Sequence, residues 1–406
     1  MPRQKRLAVV VQRYGLEVNG GAEQHARWFA EQMTTTDEVH VLTTCAVDYL
    51  TWADFYEAGE SDLNGVRVHR FPVDQPRDWS KEHRQTEKLL KYKQTLFDQI
   101  RWIKDQGPYS TALLQWIITH RDDFDRFVFF TFHYASTYFG LQLVADKAFL
   151  VPTAHEDPFL ELPSYRPVFH LPRGIAFNTT SEQELVHRTV HNEQVPYRIA
   201  GMGVEVPDDI SAERFRQTTG IQDNFLLYVG RIDESKNVPQ LIDFFRRYRR
   251  ETAVDGAQPL KLVLLGKANM PIPKDPDIIA LGFVPDQVKF DAIRAADVVI
   301  LPSLYESLSM ITLEAWSIQT PMLVNGNCDV VKRLTKESNG GLYYYTYDEF
   351  AVALTTLLAS ADLRSTLGKQ GRRFVDTHYR PDIVIAKYRD LLENGTNPVN
   401  LSDTPL

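Results

Sequence analysis

Arg231 and Lys236 stand close together in the stretch Tyr228-Val-Gly-Arg-Ile-Asp-Glu-Ser-Lys-Asn. An apolar run ends just before Gly230, and a helical pattern starts just after Lys236. Glycine lets the backbone turn sharply at that junction. Arginine presents a planar fork and lysine a compact charge, a pairing suited to a diphosphate. Two solvated loop cations are the plainer alternative. Further on, Val298-Val-Ile-Leu-Pro-Ser-Leu-Tyr-Glu-Ser-Leu-Ser-Met-Ile-Thr-Leu-Glu-Ala-Trp reads as a buried strand ending at Pro302, a loop with Glu306, and a helix starting around Ser307–Ser309. Free amides at Leu308, Ser309 and Met310 would suit phosphate oxygens at a helix N-terminus. Glu314, about two turns into that helix, could accept hydrogen bonds from a ribose diol. Equally, Glu306 could be a first-turn capping acid and Glu314 an exposed helix residue.

Asn19-Gly20-Gly21-Ala22-Glu23 lies between the first apolar run and the first helical one. Its two glycines permit close approach of backbone to a ligand. No G-x-G-x-x-G follows any strand, Gly201-Met-Gly203 lacks the third glycine, and Gly266-Lys267 is followed by Ala268, so neither a dinucleotide fingerprint nor a phosphate loop is present. His133 and His155 each follow an apolar run. His155-Glu156-Asp157 has no second histidine at ligand spacing. Asp123-Phe-Asp125 and Asp275-Pro-Asp277 match the D-x-D of metal-dependent sugar transferases, but each reads better as a loop or strand entry. No metal is therefore expected.

The elements needed to position these residues are legible as alternation. Strands are predicted at Leu7–Gln12, Val39–Thr43, Val66–Phe71, Asp125–Phe132, Phe149–Thr153 and Gly174–Asn178. After a polar stretch, Val206-Pro-Asp-Asp-Ile, the pattern restarts at Phe225–Val229, Lys261–Leu265, Ile278–Leu281, Val298–Leu301, Met322–Asn325 and Gly341–Tyr344. Helical stretches lie between them, including one near Ala22, one over about 82–105 and one at Val238–Arg250. Strand–helix alternation implies parallel sheets covered by helices. The fold class is α/β, with two doubly wound, Rossmann-like domains expected to face each other across a cleft, since such sheets bind ligands beyond the carboxyl ends of their strands. Boundaries fall at 1–205, 206–378 and 379–394, with a flexible tail over 395–406.

Length and composition agree with this. The chain has 406 residues, 43% hydrophobic and 24% charged, enough for two or three domains and unlike a disordered chain. A net charge of −8 argues against a nucleic-acid coat, so an anionic ligand needs a local positive patch. Cys45 and Cys328 are too few for a disulfide framework. The apolar stretch Leu7–Val11 is too short for a signal peptide, and no run approaches a membrane span, so a cytoplasmic protein is expected. Seven Lys/Arg across 81–107, with Tyr92, Phe97 and Trp102, leave a peripheral contact at the inner membrane surface as one reading.

The order of these features carries a resemblance. Gly20-Gly21, then Gly230-Arg231 with Lys236, then Glu306 and Glu314 eight positions apart, resemble the family 4 (group 1) retaining glycosyltransferases of GT-B fold. Asn178-Thr-Thr-Ser-Glu-Gln-Glu, Gly203-Val-Glu-Val-Pro and Leu281-Gly-Phe-Val-Pro add to it. The likeness spans roughly 7–392 and is weakest over 44–125. It implies an N-terminal acceptor domain, a C-terminal nucleotide-sugar donor domain, and a last helix, about Pro381–Leu392, that packs back on the first domain. Arg231 and Lys236 would neutralise the donor diphosphate, aided by Gly20, Gly21, Gly230 and the amides of Ser309 and Met310. Glu314 would hold the ribose, Glu306 the transferred sugar, and the backbone at Phe283 and Val284 the base. His133 would take the place of the family's active-site histidine. The family often has Gly-Phe-Gly where this chain has Ser307-Leu308-Ser309, which restricts the backbone at 309.

The resemblance implies a hexosyltransferase acting by same-face displacement, without metal or cofactor, on a glycan, lipid-linked or small-molecule acceptor. Trp52, Phe55 and Trp79 are expected to wall the acceptor region. A non-catalytic sugar-nucleotide sensor or glycan-binding subunit, and a phosphorylase or epimerase of the same fold, stay open as alternatives.

Overall fold

The computed structural model describes residues 4–18, 20–252 and 259–395. Asn19 of the paired-glycine motif, and the expected tail beyond Gly395, lie outside the described residues. The chain divides into two compact units, Gly203–Ile383 forming one and the segments before and after it the other.

The first unit is built on strands β1 (Arg6–Val10), β2 (Glu38–Thr44), β3 (Gly59–Leu63), β4 (Val66–Phe71), β5 (Arg126–Phe130), β6 (Ala148–Val151), β7 (Gly174–Phe177) and β8 (Tyr197–Ile199), in the order β3-β4-β2-β1-β5-β6-β7-β8. Neighbours run parallel except β3, which is antiparallel to β4. That strand departs from the expected all-parallel reading. Its sequence, Gly-Glu-Ser-Asp-Leu, lacks apolar alternation because it is an exposed edge. Side chains alternate between two apolar layers, as the pleat requires. Ala8, Val10, Phe127 and Phe129 join one, while Leu7, Val9, Val128 and Phe130 join the other. The second layer is completed by the last helix, Pro381–Asn394, through Val384, Ile385, Tyr388, Leu391 and Leu392. The Tyr388 hydroxyl meets His25 Nε2 at 2.8 Å and the Gly201 carbonyl at 3.1 Å, so the helix is located by polar as well as apolar contacts.

The single helix expected over about 82–105 is two, Trp79–Lys91 and Leu96–Gln106. Tyr92 is extended, and Thr95 restarts the helix with a capping box: its hydroxyl accepts from Asp98 N while Asp98 accepts from Thr95 N. Helical apolar spacing runs through the break, which hides it.

The second unit holds β9 (Asn224–Val229), β10 (Leu260–Leu265), β11 (Ile278–Gly282), β12 (Val298–Leu301), β13 (Met322–Asn325) and β14 (Gly341–Tyr344) in a parallel sheet ordered β11-β10-β9-β12-β13-β14. The strand order reverses between β9 and β12, and in such sheets that switch point, at the carboxyl ends, is where ligands bind.

Candidate active site

The chain leaves β9 through Gly230, whose φ of 153° is open to glycine, and where a Cβ would stand 2.9 Å from the Tyr228 hydroxyl. That hydroxyl donates to the Arg231 carbonyl at 2.6 Å and fixes the turn. Asp233 organises the loop that follows. Its Oδ1 accepts from Ser235 Oγ at 2.6 Å and from Lys236 N at 3.1 Å, and its Oδ2 lies 3.7 Å from Arg231 Nη1. Burial alone would raise the Asp233 pKa, but the Ser235 hydrogen bond and the Arg231 charge outweigh it and hold it below the usual carboxylate range. Asn237, left-handed at φ 58°, turns the chain into the helix Val238–Thr252. Its side-chain amide donates to the Pro302 carbonyl at 3.1 Å, as does that of Asn325. The loop after β9 is thereby tied to the end of β12, across the switch point.

Glu306 stands on that other side. Lys236 Nζ donates to its Oε1 at 2.7 Å, with the two side chains 25% and 15% exposed. The structure thus brings Lys236 and Glu306 into direct contact and places Arg231 on the same loop, linked through Asp233.

The helix after Glu306 runs Met310–Ser317, later than the expected Ser307–Ser309 start, so Glu314 lies just past its first turn rather than two turns in. The delay comes from Ser309, which occupies the left-handed region at φ 72°, ψ 83° as N-cap. Its hydroxyl meets Thr312 Oγ1 at 2.9 Å and caps no amide of the helix. A Cβ in that conformation costs about 1–2 kcal/mol. A strained residue at a loop-to-helix corner is a common mark of a working site.

Glu314 is neither exposed nor free. Its Oε1 accepts from Lys289 Nζ at 2.8 Å, and both side chains are largely buried. Burial lowers the Lys289 pKa, but the Glu314 carboxylate and Asp286 outweigh it and leave it raised. Lys289 does not stand out in the sequence, where it is one lysine on an amphipathic helix. Phe283 follows β11 with its ring 72% exposed, beside partly buried Val284. The carboxylates of Asp275 and Asp277 are engaged by Arg246, Arg249 and Lys261.

In the first unit the strand ends carry a second group of residues. Arg13 follows β1, and its Nε donates to Glu23 Oε1 at 2.9 Å while Gln12 Nε2 donates to the same oxygen at 2.9 Å. This triad explains Gly20, where a Cβ would collide with Glu23 Oε2 and stand 3.2 Å from Arg13 Nη2. Gly21, which opens the helix Gly21–Met33, has open space at that position. His133 follows β5, and His155 follows β6. Each is preceded two residues earlier by a threonine in the left-handed region, Thr131 at φ 68° and Thr153 at φ 51°. Such a conformation is unusual for a β-branched residue. Burial, and after it the neighbouring His155 and Arg77, holds the His133 imidazole well below its ordinary pKa, which favours its neutral form. Neutral imidazole can donate one hydrogen bond and accept another.

Residues 209–374 match the family model for group 1 glycosyl transferases, a stretch that includes Arg231, Lys236, Glu306 and Glu314. An uncharacterised glycosyltransferase of Methanocaldococcus jannaschii is 26% identical over 180 residues, 41% of this chain and 45% of that protein. The amylovoran biosynthesis glycosyltransferase AmsD of Erwinia amylovora is 23% identical over 186 residues, 45% of this chain and 52% of its own length. The alignments therefore span about half of these relatives. In fold the likeness is wider. The structure of Anabaena HepE in complex with UDP and glucose aligns over 96% of this chain and all of that one, with a TM-score of 0.64 at 13% identity. The chain has the GT-B fold, and residues 209–374 of its second unit are similar to the group 1 glycosyl transferases.

Proposed function

We propose that the chain transfers a sugar from a nucleoside-diphosphate sugar to a glycan, lipid-linked or small-molecule acceptor, with retention and without a metal ion. The observation that carries this is the Lys236–Glu306 contact at the switch point of the second sheet. Beside it are Arg231 on the same loop and a helix N-terminus that the side chain of its N-cap residue, Ser309, leaves uncapped. Breaking a glycosyl–phosphate bond leaves negative charge on the nucleotide and positive charge on the sugar. Lys236, Arg231 and the amides of Met310 and its neighbours are fixed donors for the first, and fixed electrostatics of this kind usually contributes most to an enzyme's rate. On this reading Glu306, held by Lys236, takes hydroxyls of the transferred sugar, and Glu314, held by Lys289, those of the ribose. Phe283 offers an exposed ring next to the backbone proposed for the base. His133 stays neutral and hydrogen-bonds a sugar hydroxyl rather than acting as a cation. The leaving phosphate accepts the acceptor's proton, so no carboxylate nucleophile is needed.

The bound UDP of HepE and the name of AmsD support a nucleotide-sugar donor and a role in polysaccharide synthesis. Among the described residues no helix is long and apolar enough to cross a membrane. Peripheral attachment is supported by Leu90, Tyr92, Leu96 and Phe97, all exposed beside Lys88, Lys91 and Lys93.

A thermal-shift screen of the full chain against UDP-, GDP-, ADP- and dTDP-sugars tests the donor, because a ligand that binds the native state raises its stability. The stabilising donor is then incubated with acceptor extracts, free nucleoside diphosphate is measured, and the anomeric configuration of the product is read by NMR. Replacing Lys236 or Glu306 with Ala is expected to cut turnover by about 10²-fold or more. Tight nucleotide binding without transfer would favour a sensor, and unchanged turnover in both variants would overturn the site.

A further inference from the structure

At the ends of β2 and β4 the first unit holds an arginine that the donor site does not use. Trp52 is buried to 1% exposure in the loop after β2. Its indole Nε1 donates to the Gln106 carbonyl at 2.8 Å, and Arg77 Nε donates to the same carbonyl at 2.8 Å. One oxygen therefore fixes both side chains. Arg77 Cζ lies 4.8 Å from the Trp52 ring centroid and 5.6 Å from that of Trp79, so two indoles hold the guanidinium at cation–π distance. Trp79 is itself 49% exposed.

The Nε contact is the one side-chain hydrogen bond that Arg77 makes among the described residues, and it forms no ion pair with them. The acids that act on it from further away, Glu82 and Asp48, are engaged elsewhere. Glu82 Oε1 accepts from Thr86 Oγ1 at 2.6 Å, and Asp48 Oδ1 accepts from Leu50 N, Thr51 N and Thr51 Oγ1. Arg13 shows the contrast. It faces the same Trp52 ring at 5.9 Å, but Glu23 neutralises it. A partly buried charge is costly unless a partner is supplied. The unused Nη edge of Arg77 is a planar fork that matches two oxygens of one oxyanion. The Trp52 ring that Arg77 faces packs edge-on against Tyr134, just past the end of β5, with centroids 5.4 Å apart, so the pair lies among the strand ends where such sheets take ligands.

We propose that Arg77 is an anion clamp for the acceptor: Nη1 and Nη2 grip a phosphate or carboxylate while the acceptor's sugar ring packs on Trp79. This rests on the reading that the first unit receives the acceptor of a sugar transfer. The acceptor is then an anionic sugar, a sugar phosphate or a sugar acid, since a neutral one would leave the fork unpaired.

The test is tryptophan fluorescence of the full chain titrated with glucose 6-phosphate, glucuronate and glucose, with and without UDP. The wild-type chain, Arg77→Met and Arg77→Lys are compared. At least one anionic sugar should bind about tenfold or more tighter than glucose, as charge-assisted hydrogen bonds would give. Arg77→Met should erase that preference. Arg77→Lys, which keeps the charge without the fork, should retain part of it. The two anionic arms tell phosphate from carboxylate. Equal affinity for all three sugars, no saturable binding of either anion, or an undiminished preference in Arg77→Met each overturns the clamp. Should Arg77→Met fail to fold, the wild-type comparison and Arg77→Lys still decide. UDP binding is scored separately: its absence in the wild-type chain strikes the transferase reading, while the clamp is judged on the sugar titrations.

Discussion

Lys236 and Glu306 are paired directly with each other, and that pairing makes their replacements differ in their effect on nucleotide affinity. At 2.7 Å the attraction is about 6 kcal/mol at an effective dielectric of ~20 and about 1.5 kcal/mol in bulk water. Lys236 is a quarter exposed, so the net pairing belongs near the lower figure once solvent screening is discounted. A nucleoside diphosphate that recruits Lys236 must share it with Glu306. Glu306→Gln removes that competing charge while keeping the shape. UDP, measured by isothermal titration calorimetry, should bind as tightly as to wild type or up to about tenfold tighter, the equivalent of about 1.4 kcal/mol. Turnover should still fall by about 10²-fold if, as proposed, Glu306 holds the transferred sugar. Lys236→Ala should lose both UDP affinity and turnover. If Glu306→Gln weakens UDP as much as Lys236→Ala does, the carboxylate binds the nucleotide rather than tuning the lysine, and the reasoning fails.

Other consequences can be measured on the same chain. Ser309→Gly should raise the thermal midpoint, since relief of about 1–2 kcal/mol of left-handed strain exceeds the added chain entropy of glycine; a fall would mean that the Ser309–Thr312 contact is worth more. Lys289→Met leaves the Glu314 carboxylate largely buried and unpaired, and a loss of about 1–3 kcal/mol in urea unfolding is expected, against none if the pair is only incidental. Burial pushes the His25 pKa down to about 3, whereas an unfolded imidazole titrates near ~6.5. The stability this supplies is complete above ~6.5 and is lost as pH falls toward 3, by about 2 kcal/mol at pH ~5, and His25→Gln should flatten that slope in denaturant titrations. Sedimentation with anionic vesicles should carry the chain down, and Tyr92→Ser with Phe97→Ser should release it; equal sedimentation of both proteins would remove the membrane reading.

Much of the fold was legible because its strands are buried on both faces and so read as short apolar runs. Val298–Leu301, Met322–Asn325 and Gly341–Tyr344 are strands with the same bounds as expected. What was not legible lacked that signal. β3 is exposed and polar, and the break between the helices Trp79–Lys91 and Leu96–Gln106 depends on the Thr95 cap rather than on periodicity. The candidate site divides in the same way. Arg231, Lys236, Glu306 and Glu314 follow strands and stand out by type and spacing. Their partners do not: Lys289 comes from a neighbouring helix, and Asn237 and Asn325 meet at one carbonyl through tertiary packing. Gly20 could be read as a glycine, but its reason, the Glu23 and Arg13 side chains, required coordinates. Arg77 carried no motif at all; its placement between two tryptophans is a product of loop geometry.

The most direct measurement is the amide hydrogen-exchange footprint of a saturating nucleoside diphosphate on the full chain, with UDP as the first probe. Protection is expected in peptides covering 228–240 and 302–316, and it should disappear in Lys236→Ala at the same nucleotide concentration. Saturated binding that leaves both peptides exchanging as in the free chain would contradict a nucleotide site at the junction of β9 and β12.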